Sequence, residues 1–244
     1  PPSSFSLRWY AEFFGSEIWM TATARSLLVA LATAVIAVVA GTAAAFVLVR
    51  EQVLGKGLLV GFIMAPLILP RMAVAVALFF FLARLGLAST PFALVIGHSI
   101  LAIPYVVVTV SAVLKRYDRR LDQAASSLGA SPARVYWHVT LPLIRSGLFA
   151  AGPFAFITSF DDLNIALFVS GGLQNTLPNQ MWSSMYLAAS PILGAASTVI
   201  LITLSVVLVA AELLRRALEP RRAAAEQESW SWALATPPAS AASE

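Results

Sequence analysis

The chain has 244 residues, 59% of them apolar and 11% charged, with a net charge of +4 and a mean hydropathy of +0.82. A soluble domain averages about 45–50% apolar and about 25% charged residues, so twelve acids and sixteen bases cannot cover a water-soluble globule of this size. The lack of cysteine excludes a disulfide scaffold, and the apolar content excludes disorder over most of the chain, which leaves an integral membrane protein.

In chain order, Ser6–Phe14 mixes aromatics with one Arg and one Glu and reads as an interfacial segment, with Trp9 and Tyr10 at headgroup depth. Five apolar stretches follow: Leu27–Val49, Leu58–Ala83, Phe92–Leu114, Leu148–Ser170 and Ile192–Leu214, each of 23 to 26 residues. At 1.5 Å per residue each is long enough to cross a hydrocarbon core of about 30 Å as a helix. None shows the alternating polarity of a membrane strand, so an all-α bundle of five spans is expected. The division is 1–26 as an outer interfacial segment, 27–214 as the membrane domain with a loop at 115–147, and 215–244 as a disordered inner tail. Trp230 and Trp232 in that tail read as part of a floppy Ala/Ser/Pro-rich end.

The bases set the orientation. Twelve of the sixteen fall between spans one and two, between spans three and four, or after span five, all on one side. That side is cytoplasmic by the positive-inside rule, so the segment before span one is outside and the C-terminus inside. The charge excess reflects this bias and not a nucleic-acid surface. An odd number of spans with an outer start leads to the expectation that one further span, running inside to outside, precedes Pro1.

The loop 115–147 carries the densest pattern. Leu121, Ala124, Ala125 and Leu128 share one face of a short helix over Asp118–Leu128, with Gly129 as a left-handed C-cap. Ser131 caps a second helix with Pro132 at its first position, and Thr140-Leu141-Pro142 is expected to end it before span four. Small Ala124 and Ala125 suit close docking on a partner; an amphipathic linker on lipid headgroups fits the spacing equally. The run Gln123-Ala124-Ala125, three residues, Gly129, nine residues, Val139-Thr140-Leu141-Pro142 resembles the EAA loop of ABC importer permeases, with Gln for Glu and Val for Ile. Phe5-Ser6-Leu7-Arg8-Trp9-Tyr10, Pro70, Gly97-His98-Ser99, Ile103-Pro104-Tyr105-Val106-Val107, Ser159-Phe160-Asp161-Asp162 and Thr176-Leu177-Pro178 are similar to segments of the spermidine/putrescine branch, in its second permease.

The resemblance implies the type I importer permease bundle, with six spans in the family. It also implies that Gln123, Ala124, Ala125, Leu128 and Gly129 form the coupling helix that docks on an ATP-hydrolysing subunit. The implied partners are a second permease, two ATPase subunits that bind ATP and Mg, a periplasmic solute-binding protein and the bilayer. The sequence itself carries no G-x-x-x-x-G-K-[ST] phosphate loop and no His/Cys metal cluster, so no cofactor is expected on this chain and ATP chemistry falls to a partner.

Three ionisable residues fall inside spans. Asp161 and Asp162 are expected near the middle of span four, where a carboxylate costs roughly 2.5–3.5 kcal/mol on insertion scales and needs water, a cation or a proton. They read either as a site for a substrate ammonium or as a structural ion pair or cap at a helix break. Arg71 follows Pro70 in a span that also holds Pro66, two residues that kink or break helices. In the polyamine branch the residue after this proline is commonly acidic. Arg71 therefore suggests an anionic or zwitterionic solute such as an aminophosphonate, opine or amino-acid derivative, or else a salt bridge to Asp161 or Asp162 within the bundle. Trp9 reads as an interfacial anchor, while the resemblance implies a place near the path. A secondary transporter or channel working without an ATPase is the reading from another class; the matched coupling loop argues against it.

Overall fold

The computed structural model describes residues 7–172, 175–187 and 190–218. Phe5, Ser6, Trp230, Trp232 and the tail expectation for 219–244 lie outside the described residues. The elements are α1 (Arg8–Gly15), α2 (Glu17–Arg50), α3 (Lys56–Ile68), α4 (Arg71–Arg84), α5 (Pro91–Arg116), α6 (Arg120–Ser127), α7 (Pro132–Val135), a π turn (Tyr136–Thr140), α8 (Leu141–Phe160), α9 (Asn164–Val169), α10 (Leu177–Leu187) and α11 (Ile192–Leu218).

Helices α2, α5 and α8 form the centre of the bundle. Their contact is built of small and β-branched side chains: Ala37 and Ala45 of α2, Ala102, Val106 and Val110 of α5, and Ile144, Ala151 and Ala155 of α8. Between apolar helices in lipid, close packing supplies the attraction that the hydrophobic effect supplies in water. The helices approach so closely that a Cβ on Gly41 would lie 2.7 Å from Val106 Cβ, and one on Gly147 2.8 Å from a Val113 methyl. Helices α4 and α9 pack against one end of this centre through Ala75, Leu82, Leu94, Leu101 and Ile165. Helix α1 lies across α11, where Phe13, Trp19, Phe156, Phe160 and Ala196 close a second cluster. The outward faces remain apolar and exposed, as at Leu31, Val35 and Val39 of α2 and Leu201, Val206 and Leu213 of α11, which is the pattern of a lipid-facing surface.

Three expected spans differ in the structure. Leu58–Ala83 is not one helix: α3 and α4 meet at an angle of 109°. Pro70 lacks an N–H to continue the ladder, and its ring drives Leu69 to an extended ψ of 146°. Span four begins earlier and ends earlier than Leu148–Ser170. A continuous stretch of helix runs Pro132–Phe160, so Thr140-Leu141-Pro142 does not end it. The π turn at Tyr136–Thr140, closed by Leu141 N–H donating to Tyr136 O, shifts the hydrogen-bond register just ahead of Pro142 and lets the chain stay helical through it. Asp161 and Asp162 consequently stand at the C-terminal end of α8 and not at mid-helix. Span one is longer than Leu27–Val49: α2 has 34 residues, about 51 Å at 1.5 Å each, so its Glu17 end projects beyond the apolar slab.

Candidate functional site

The loop after α5 folds into a short helix whose ends are fixed by local chemistry. Asp118 Oδ1 accepts from Arg120 N–H at 2.9 Å and opens α6. Gly129, at φ +84°, closes it: Ala130 N–H donates to Ala125 O and Gly129 N–H to Ser126 O, the paired bonds of a left-handed C-cap. Ser131 Oγ accepts from Arg134 N–H and Pro132 opens α7. Gln123, Ala124 and Leu128 are exposed, Leu128 to 89%, and Ala125 is half-buried. The apolar face of α6 is thus turned away from its own bundle, with Trp137 also exposed nearby in sequence.

The residue that seats this helix, Asp122, carries no signal in the sequence pattern. Its Oδ2 pairs with Arg50 Nη1 at 2.7 Å, and its Oδ1 accepts from Thr140 Oγ1 at 2.9 Å and from the Tyr117 hydroxyl. Arg50 lies between the Phe46 and Tyr117 rings, 4.9 and 5.0 Å from their centroids. Burial, and then the hydrogen bond to Asp122, push the Tyr117 phenol above its ordinary range, so it stays protonated and donating at neutral pH. Arg119 adds a bond to Val49 O at 3.1 Å. A compositional scan finds an acid in a basic loop; only the fold brings it against the end of α2.

The intramembrane charges gather at the two breaks. Arg71 opens α4 directly after the Pro70 bend and, with Pro66, Leu67, Leu101, Tyr105 and Thr158, lines a cavity of ≈50 Å³ between α3, α4, α5 and α8. At the end of α8 the adjacent acids part. Asp161 is exposed. Asp162 is 2% exposed; its Oδ2 accepts from Ile165 N–H at 2.7 Å, capping α9, and lies 3.8 Å from His98 Nε2. No ion pair within 4.0 Å joins Arg71 to either acid among the described residues. Asp162 holds the break through Oδ2, while its Oδ1 is buried without a hydrogen-bond partner. Trp9 is elsewhere: it packs on the Phe13 cluster beneath α11, with Arg8 over its ring at 4.4 Å. Trp182 and Tyr186 meet edge to face at 5.0 Å, with Tyr186 exposed.

A family model described as "Binding-protein-dependent transport system inner membrane component" matches residues 37–224. The chain belongs to this family. It is similar to the "Putrescine transport system permease protein PotI" of Escherichia coli (strain K12), with 34% identity over 90% of this chain and 81% of that protein. It is also similar to the "Spermidine/putrescine transport system permease protein PotC" of the same strain, with 29% identity over 87% of this chain and 80% of that one. Among solved structures it shares its fold with a chain of the inward-facing MetNI methionine ABC transporter, at TM-score 0.65 and 18% identity over 83% of this chain and 99% of that chain. The protein is therefore an inner-membrane permease subunit of a binding-protein-dependent ABC importer, built as a type I bundle.

Proposed function

We propose that this permease imports polyamines or closely related small amines, and that α6 is its coupling helix. The observation that carries the cargo reading is the 34% identity to a putrescine permease along 90% of the chain. Asp161, exposed at the α8–α9 break, is the carboxylate on this chain able to attract an ammonium in the path. A second permease encloses the other side of the path, a periplasmic binding protein delivers solute to the outer face, and two ATPase subunits bind ATP and Mg below. The C-terminus and loop 115–147 lie in the cytoplasm, residues 1–26 outside. Closure of the ATPase pair pushes on the face built of Gln123, Ala124, Ala125 and Leu128, ended by Gly129, and the bundle switches between outward- and inward-open states.

Arg71 favours one second reading of the cargo: a zwitterion whose acid group meets the guanidinium while its amine meets Asp161. Uptake of radiolabelled putrescine by the reconstituted complex with its binding protein tests both. Saturable, ATP-dependent uptake supports the polyamine reading. No uptake of putrescine or spermidine, with uptake of an amino-acid-derived zwitterion, replaces it with the second.

A further inference from the structure

The Arg50–Asp122 pair lies apart from the docking face and ties α6 by side-chain bonds to the ends of helices that already pack together in the bundle centre. Asp122 belongs to α6, Arg50 ends α2, Tyr117 follows α5, and Thr140 precedes α8. One carboxylate therefore takes a charged bond from the first of the three central helices and a hydroxyl bond from the junction of each of the other two. The two side chains are only about a fifth exposed, 22% for Arg50 and 17% for Asp122, so the pair is more than a solvated surface bridge. Arg50 is pre-oriented by the two flanking rings, and its Nη2 is buried with no hydrogen-bond partner of its own. Arg119 doubles the connection by donating to Val49 O. Directly after α2 the chain runs through Glu51–Leu54 to the left-handed Gly55, which opens α3. The end of α2 therefore adjoins α6, the bundle centre and the broken span that carries Arg71.

We infer that Asp122 is the positioning residue of coupling: with Arg50 it makes α6 and the cytoplasmic ends of α2 and α8 one rigid lever. The inference rests on the coupling reading of α6 and goes beyond it by naming the joint through which the push is transmitted. The docking face touches the partner; Asp122 acts on the partner only through that face.

The test uses the assembled complex. The chain has no cysteine, so Gln52→Cys and Ser126→Cys give a unique spin-label pair within it, one beside the end of α2 and one on α6 away from the Leu121–Leu128 face. In the lever the distance between labels is single and unchanged between nucleotide-free and ATP–vanadate-trapped complex. With Asp122→Asn or Arg50→Gln it broadens or shifts with nucleotide, and putrescine taken up per ATP hydrolysed falls about tenfold, a typical coupling factor, while the ATPase subunit still co-purifies. The exchange Arg50→Asp with Asp122→Arg restores a narrow distance and part of the ratio, which a merely local packing defect would not do. A distance that changes with nucleotide in the parent complex overturns the lever, as do single variants with parent-like distances and ratio. If both single variants fail to assemble, Tyr117→Phe and Thr140→Val, each removing one hydroxyl bond, decide by the same two readouts: a broadened distance supports the lever and an unaltered one overturns it. A parent complex that takes up no putrescine overturns the cargo reading alone, since the distance measurement needs no cargo.

Discussion

His98 Nδ1 lies 2.7 Å from Ser159 Oγ, tying the N-terminal third of α5 to the last turn of α8 immediately before the break. Both side chains are buried, and the same imidazole faces Asp162 with its other nitrogen. The His98–Ser159 hydrogen bond thus holds the last turn of α8 beside the bend, while His98 Nε2, 3.8 Å from Asp162 Oδ2, has no hydrogen-bond partner. Removing one partner of a buried pair leaves the other desolvated and unpaired, at about 1–3 kcal/mol, whereas removing both is far cheaper. Ser159→Ala is therefore expected to lower the thermal midpoint of the detergent-purified protein by several degrees, and Ser159→Ala with His98→Leu to recover part of the loss. A double variant less stable than the sum of the singles would contradict this.

The glycines divide by what surrounds them. A Cβ at Gly41 meets Val106 at 2.7 Å inside the α2–α5 contact, while at Gly61 nothing lies within 4 Å. Overpacking a close helix contact costs about 1–3 kcal/mol, and Gly to Ala in an open helical position gains up to about 1 kcal/mol. Gly41→Val should lower the yield of monodisperse protein on gel filtration, with Gly61→Ala equal to or better than the parent. Equal yields from both would mean that α2 and α5 are not in the described contact.

How much of this was legible beforehand follows from range. The apolar runs, the basic side, the C-cap at Gly129 and the cap at Ser131 depend on neighbours within a few residues, and each could be read from spacing. The position of Asp161 and Asp162 could not, because the helix start was hidden: a π turn carries the chain through Leu141-Pro142, where local rules place a stop. The break at Pro70 was readable as a kink, but its 109° angle depends on α4 packing against α9, far along the chain. Asp122 was invisible for the same reason, since Arg50 is 72 residues away. The Thr176-Leu177-Pro178 motif matched by resemblance alone; the structure supplies its physics, with Leu177 wholly buried and its N–H donated to Ser26 Oγ at 2.7 Å.

Arg71 and Asp161 should act on cargo, and Asp162 on the fold. Arg71→Asp replaces the guanidinium at the head of α4 with a carboxylate. It is expected to lower KM for putrescine several-fold, about 1 kcal/mol for each factor of five. Asp161→Asn is expected to raise KM for a dication more than for a neutral or zwitterionic competitor. Asp162→Ala loses the side-chain cap on Ile165 N–H, worth about 0.5–2 kcal/mol, and should reduce thermal stability without changing the order of preference among solutes. Competition of labelled putrescine by unlabelled solutes measures all three. An unchanged preference in Arg71→Asp would remove Arg71 from solute contact and leave it a structural charge at the head of α4.

The docking face should fail in two separable ways. Gly129 holds φ +84°, where an L-residue is strained by roughly 1–2 kcal/mol, so Gly129→Val should loosen the C-cap and misalign α6 although nothing lies within 4 Å of the added Cβ. Ala125→Trp leaves the backbone free and adds bulk to the face itself. Both are expected to lower the amount of ATPase subunit retained on affinity-tagged permease at least tenfold, which is about 1.4 kcal/mol of docking free energy. Gly129→Asn, which tolerates the left-handed region better than other side chains, should keep most of the retention, and no Asn at 125 or 128 should share this rescue. Full retention and parent-like ATP hydrolysis by Ala125→Trp would show that the ATPase docks on another surface, and would return α6 to the role of a linker on the membrane.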